Sequence, residues 1–144
     1  MKKKPILYIV IPCFNEEKVL PFTNVIFKDK IQELVEKEII SQQSRVMFVN
    51  DGSTDDTWSL IEEYSKNEFV VGISQSRNRG HQSSILAGIF EAKKYADVVI
   101  TIDADGQDDI HCINKMLEAY EKGSDIVYGV RENRETDTFF KRFT

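Results

Sequence analysis

Ile6-Leu7-Tyr8-Ile9-Val10-Ile11-Pro12-Cys13-Phe14-Asn15-Glu16-Glu17 is the stretch on which the fold turns. Ile6 to Ile11 is an unbroken apolar run with β-branched residues and no alternation. A half-buried strand alternates apolar and polar positions, so this run predicts a strand covered on both faces, as in a parallel sheet. Pro12 reads as the residue that ends it, and the polar Asn15-Glu16-Glu17 follow at once.

Moving outward, short apolar runs alternate with segments of helical period. From Glu17 to about Glu38, Leu20, Phe27, Ile31, Leu34 and Val35 fall on one helical face, with Pro21 suited to the first turn. Arg45 to Asn50 is a second strand, carried by Val46, Phe48 and Val49. Gly52-Ser53-Thr54-Asp55 is a turn, with Ser53 or Thr54 as cap for a helix from about Asp55 to Asn67. Phe69 to Ser74 is a third strand. Gly80 to Tyr95 is helical, with Ile85, Leu86, Ile89 and Phe90 on one side. Asp97 to Ile102 is a fourth strand. Asp109 to Lys122 is a helix with Ile113, Met116, Leu117 and Tyr120 inward, ended by Gly123, and Ile126 to Tyr128 is a fifth strand. This β-α-β alternation predicts an α/β fold, a mostly parallel central sheet with helices on both faces. No repeat, linker or low-complexity segment interrupts it.

The 144 residues suit one compact domain, and apolar and charged fractions of 41% and 30% are those of a globular protein. A net charge of −5 gives no ground for nucleic-acid binding. Cys13 and Cys112 form no spaced motif and read as two reduced thiols. Met1-Lys2-Lys3-Lys4 is followed by Pro5 and an apolar run too short for a signal peptide, and no stretch approaches the ~20 apolar residues of a membrane span. The chain is expected to be soluble as it stands. Its end, Phe139-Phe140-Lys141-Arg142-Phe143-Thr144, carries no helix-stop signal and reads as a cut through a longer protein.

Polar clusters directly follow three of the strands: Asn15-Glu16-Glu17, Asn50-Asp51-Gly52-Ser53, and Asp103-Ala104-Asp105-Gly106-Gln107-Asp108-Asp109. Ligands of open α/β sheets bind at the carboxyl edge where strand order reverses. With strand one flanked by strands two and four, the three clusters meet in one crevice. Residues i and i+2 of an extended segment point the same way, so Asp103 and Asp105 can present oxygens to one side, a donor set suited to Mg²⁺ or Mn²⁺. Helix capping explains Asp108 and Asp109 but not Asp103, because an anion closing a buried strand needs a partner to offset desolvation. Asp51 is either an Asx-turn residue or a carboxylate receiving hydrogen bonds from a base or ribose. Glu16 is either a first-turn helix anion or a base contact. Ser76-Arg77-Asn78-Arg79-Gly80-His81 is either a solvated loop or, with its arginines before a helix N-terminus, an anion receiver. His81 has no acid–base role in this reading. Arg131, Arg134, Lys141 and Arg142 make a basic tail that either faces solvent or grips phosphate.

Pro12-Cys13-Phe14-Asn15-Glu16-Glu17, Val49-Asn50-Asp51-Gly52-Ser53-Thr54-Asp55-Asp56-Thr57 and Asp103-Ala104-Asp105 together resemble the signatures of family 2 glycosyltransferases with the GT-A fold. Ser76 to Gln82 and Tyr128 to Arg134, with Phe140-Lys141-Arg142 after, are similar to the polyprenyl-phosphate glycosyltransferases within it. The likeness runs the length of the chain. It implies that residues 1–144 are the Rossmann-like, nucleotide-sugar-binding part of a GT-A domain. Pro12, Phe14, Asn15, Glu16, Val49, Asp51, Asp103 and Ala104 would then cradle the nucleotide. Asp103, Asp105 and Gln107 would hold Mg²⁺ or Mn²⁺, and Arg131 and Arg142 would meet phosphates or acceptor. Gly106 and Asp108-Asp109 depart from the pattern of close relatives, without removing a ligand.

The resemblance further implies inverting transfer from a nucleotide sugar, UDP-sugars favoured, to a polyprenyl phosphate. A saccharide acceptor is the alternative. Membrane association, at the cytoplasmic face, would come through a segment beyond Thr144, as would the catalytic base. A sugar nucleotidyltransferase should carry a Gly-rich loop after strand one, and Pro12 to Glu17 contains no glycine. P-loop and dinucleotide fingerprints are absent. A nucleotide-binding module without transfer activity is the non-enzymatic reading.

Overall fold

A computed structural model describes residues 3–104, 110–123, 126–131 and 138–143, the last two segments as strand backbone. The chain divides into two compact units, Met1–Gln107 and Asp108–Thr144.

The first unit runs β1 (Leu7–Cys13), α1 (Leu20–Glu36), β2 (Arg45–Asp51), α2 (Thr57–Tyr64), β3 (Val70–Gln75), α3 (His81–Ala92) and β4 (Val98–Thr101). Its four strands are parallel in the order β3-β2-β1-β4. β1 is therefore interior and lies between β2 and β4, the arrangement that brings the three polar clusters to one edge. All seven β1 residues are buried, as the unbroken apolar run requires. Each fully buried Leu, Ile or Val there contributes about 1.5–3 kcal/mol.

β1 does not stop before Pro12 but continues through it, pairing Pro12 with Val49 and Cys13 with Asn50. In a parallel ladder a residue directs its N–H and C=O to the same neighbour, and the Val10 carbonyl accepts from Ile102 on the β4 side. Pro12 aims its missing N–H that same way. The ladder to β4 has already ended there, at Val10 opposite Thr101, so no bond is lost.

The crossover connections put helices on both faces. On one face, Phe48 meets the Tyr64 ring of α2, and Gly72 lies beneath Ile61 and Trp58. α1 lies beside α2, starts with Pro21 in its first turn, and buries Leu20, Phe27, Ile31 and Leu34. On the other face, Tyr8, Val10, Met47 and Val49 pack with Ala92 of α3.

α3 corrects the expected helix face. It buries Ser84, Gly88 and Ala92, while Leu86 and Phe90 are exposed, the latter beneath the Lys93 ammonium. A Cβ on Gly88 would lie 2.3 Å from Val10 Cγ1 and 3.0 Å from Val49 Cγ2. The helix approaches the sheet at a distance that only small side chains allow, and this stripe outweighs the larger apolar residues beside it.

The second unit contains α4 (Cys112–Glu121), β5 (Ile126–Arg131) and β6 (Thr138–Phe143). α4 buries Ile113 and Leu117, leaves Tyr120 exposed, and is followed by Gly123 at φ +97°. β5 does not extend the parallel sheet. It pairs antiparallel with β6, from Ile126 opposite Phe143 to Arg131 opposite Thr138. The connection over residues 132–137 is too short for a parallel crossover, which needs a dozen residues or more, but long enough for a hairpin.

Candidate active site

The carboxyl ends of β1 and β2 are stitched together by side chains that the sequence places just beyond each strand. Asn15 takes up φ +52°, a left-handed conformation that Asn tolerates. Its N–H donates to Ser53 Oγ at 3.0 Å, and its Oδ1 accepts the Thr54 N–H at 2.8 Å. The Glu16 N–H donates to Thr57 Oγ1 at 2.9 Å. Asp55, rather than Ser53 or Thr54, serves the start of α2: its Oδ1 accepts the Thr57 N–H at 2.9 Å and the Thr57 hydroxyl. Ser53 and Thr54 do not cap because both are committed to Asn15.

A third loop joins this frame. Asp51 is 3% exposed, and its carboxylate accepts the Arg79 N–H at 2.8 Å and the Gly80 N–H at 3.2 Å. Gly52, at φ +67°, lies so close to this loop that a Cβ would sit 2.3 Å from Asn78 N and 2.4 Å from Arg77 C. Residues 76–80 thus join the site through backbone N–H groups, while Arg77 and Arg79 are exposed. No side chain caps the N-terminus of α3.

At the end of β4 the Ile102 N–H donates to Val10 O at 3.0 Å. Ile102 and Ala104 are buried and the Asp103 side chain between them is 54% exposed, so alternation turns its carboxylate outward. The desolvation cost expected of an anion at this position is correspondingly reduced. His81 Nε2 lies 3.4 Å from Asp103 Oδ1.

A cavity of about 360 Å³ opens among these ends. Pro12, Phe14 and Glu16 from the β1 end, Asp51 from β2, and Asp103 and Ala104 from β4 line it, all of them residues picked from sequence. Phe14 is 42% exposed, leaving a ring face available. Asn15 and Val49 do not line it. Asn15 is spent on Thr54, and Val49 is fully buried in the core beneath α3. Asp105 and Gln107 lie outside the described residues. Arg131 and Arg142 fall on β5 and β6, with their side chains outside the described residues.

Sequence reasoning did not pick Cys13, Asn78, His81 or Ser84, which also line the cavity. For Ser84 the signal was available in the small-residue spacing Ser84-Gly88-Ala92, the stripe by which α3 packs on the sheet. Burial and then the Glu16 charge push the Cys13 thiol far above its ordinary pKa, so it stays protonated and is no nucleophile.

The cavity's chemistry fits a divalent cation. Glu16, Asp51 and Asp103 contribute hard oxygens, and among the described residues no lysine or arginine lines it. Among the described residues no three acidic, His or Cys side chains converge tightly enough to hold an ion.

The glycosyl transferase family 2 model matches residues 8–144. Over 144 residues the chain is 47% identical to the uncharacterized glycosyltransferase YkoT of Bacillus subtilis (strain 168), covering 99% of this chain and 43% of the relative. Over 137 residues it is 36% identical to the prophage bactoprenol glucosyl transferase homolog of Escherichia coli (strain K12), covering 94% and 42% respectively. The chain thus spans less than half the length of these relatives. Among solved structures, a mannosyltransferase, PcManGT from Pyrobaculum calidifontis in complex with GDP-Man and Mn²⁺, superposes with a TM-score of 0.59 at 17% identity, over 83% of this chain and 32% of that one. S. aureus TarS 1-349 in complex with UDP gives 0.58 at 17%, over 81% and 32%. At these identities the likeness concerns the fold.

Proposed function

Because this chain belongs to glycosyl transferase family 2, we propose that it is the donor-binding part of an inverting, metal-dependent enzyme. That enzyme moves a sugar from a nucleoside-diphosphate sugar, with UDP-sugars favoured, to a polyprenyl phosphate. One observation carries the reading. The half-exposed Asp103 carboxylate faces a cavity at the carboxyl edges of β1, β2 and β4, walled by Pro12, Phe14, Glu16 and Asp51.

Each wall has a distinct task. The Phe14 ring offers a face to a base. Glu16 and Asp51 accept hydrogen bonds from base N–H or ribose hydroxyl groups, Asp51 with the lone pairs its two backbone donors leave. Asp103 would hold Mg²⁺ or Mn²⁺, joined, as the family pattern implies, by Asp105 and Gln107. Bound there, the ion supplies neutralisation of the charge that builds on the departing nucleoside diphosphate. The family pattern also implies phosphate contacts from Arg131 and Arg142. The bactoprenol glucosyl transferase relatives support a lipid phosphate acceptor. Such an acceptor is already anionic and needs less help from a general base than a hydroxyl does. It would also bring the reaction to a membrane surface, and the family likeness implies the cytoplasmic face.

The test is release of nucleoside diphosphate from UDP-glucose by the full-length protein, with polyprenyl phosphate or a saccharide, with and without Mn²⁺. Release that needs both Mn²⁺ and the lipid phosphate is the expected result. Release with saccharide alone replaces the acceptor. No release from UDP- or GDP-sugars, with nucleotide binding indifferent to Mn²⁺, overturns the donor-site reading.

A further inference from the structure

We propose that Thr23, on α1 and outside every motif above, is a positioning residue for Asp103. The inference rests on the donor-site reading. Thr23 is 4% exposed, and its Oγ1 lies 2.8 Å from the carbonyl oxygen of Ala104, across 81 positions of sequence. The hydroxyl has one proton to give. Its other acceptor within reach, Val19 O at 3.1 Å, already receives the N–H groups of Phe22 and Thr23, each at 3.0 Å. Ala104 is buried, and among the described residues the Thr23 hydroxyl is the only donor to its carbonyl. The proton therefore goes to Ala104.

The position explains why an anchor is needed. Among the described residues β4 pairs only with β1, and that ladder ends at Thr101. Beyond it the Ile102 N–H makes the last bond back to β1. Without a further tie, Asp103 would be held from one side only. Thr23 supplies the tie one residue past Asp103, so Asp103 is bracketed by two anchored, buried neighbours. Pro21, in the first turn of α1, sets the start of the helix and hence the height at which Thr23 meets the loop. Threonine is a poor helix former, and a buried one is explained by this contact.

The test compares Thr23→Val, which keeps the shape and removes the hydroxyl, with Thr23→Ser, which keeps the hydroxyl. Ser44→Ala is the control. The Ser44 hydroxyl is equally buried and accepts the Leu7 N–H at 2.9 Å, at the opposite edge of the sheet. Two readouts are taken on the chain: amide exchange in peptides covering residues 102–107, and UDP affinity by calorimetry with and without Mn²⁺. Thr23→Val should speed exchange there and weaken the Mn²⁺-dependent affinity about tenfold, in line with one orphaned buried acceptor. Metal-free affinity should be unchanged, Thr23→Ser should stay near wild type, and Ser44→Ala should lose stability without either effect. Unchanged exchange in Thr23→Val, or losses equal to those of Ser44→Ala, overturns the proposal. The exchange readout needs no nucleotide. Wild-type UDP binding indifferent to Mn²⁺, beside faster exchange in Thr23→Val, thus sinks the donor-site reading and leaves the anchor standing.

Discussion

Replacing Gly52 by alanine should cost far more than its single methyl group implies. At φ +67° a side chain adds left-handed strain of about 1–2 kcal/mol. The larger effect is the collision. A Cβ at 2.3 Å from Asn78 N and 2.4 Å from Arg77 C meets backbone, which cannot rotate aside. Relief requires the 77–78 backbone to retreat by about 1 Å, to the ~3.5 Å of ordinary contact. The same retreat stretches the bonds from Arg79 N–H and Gly80 N–H to Asp51, now 2.8 and 3.2 Å, beyond useful length. A carboxylate buried to 3% exposure then loses two donors, and even partial loss costs about 2–3 kcal/mol. The total is about 4 kcal/mol. Gly80→Ala is the matched comparison, because Gly80 also has positive φ (+95°) but a methyl group added there would meet no atom within 4 Å. Only strain of about 1–3 kcal/mol applies there. Urea unfolding of both variants, with amide exchange over residues 76–80, measures the difference. A Gly52→Ala variant no less stable than Gly80→Ala, with the loop as protected as in wild type, would refute the reasoning.

Asp103→Asn keeps the shape and removes the charge, so Mn²⁺-dependent UDP affinity should fall at least tenfold while metal-free affinity holds, as read by calorimetry. Cys13 should resist a thiol reagent at pH 8 in the folded chain and react fully in urea, measured in a Cys112→Ser background, because burial holds it protonated. At Asp55, burial acts to raise the carboxyl pKa, but the Thr57 hydroxyl and the N–H groups of Thr57 and Glu17 outweigh it and hold the group below its ordinary 3.8. A depressed folded pKa means the unfolded chain binds the proton more readily. Asp55 therefore stabilises fully above that ordinary value and progressively less as pH falls below it. Asp55→Asn should flatten the acid limb of a stability-versus-pH curve and leave its shape at neutral pH unchanged.

Much of this site is legible in the order of the residues alone. The run Ile6 to Ile11 has no polar face to give to water, so it reads as a strand covered on both faces; that β2 and β4 flank it is a hypothesis, and the ladders bear it out. Asp103 and Asp51 stand out because each directly follows an apolar strand. The readings that failed share a cause: they depended on distance between elements. Periodicity ranks Leu86 and Phe90 above Ser84 and Gly88, but how closely α3 approaches Val10 and Val49 decides which stripe is inside. Whether Pro12 can remain in β1 depends on where the ladder to β4 ends, a property of another strand. At Val49, within a motif, alternation turns the side chain to the α3 face, away from the cavity. Thr23 carries no motif at all, and its contact with Ala104 spans most of the unit.

The ties among Asn15, Ser53, Thr54, Asp51 and the Arg79–Gly80 backbone have a kinetic corollary. Three walls of the cavity are immobilised before any ligand arrives, so entry of a nucleotide calls for no rearrangement of those walls. Stopped-flow mixing should then give one exponential whose rate climbs linearly with UDP concentration. Cutting a tie, as in Asn15→Ala, should add a second phase that no longer depends on it.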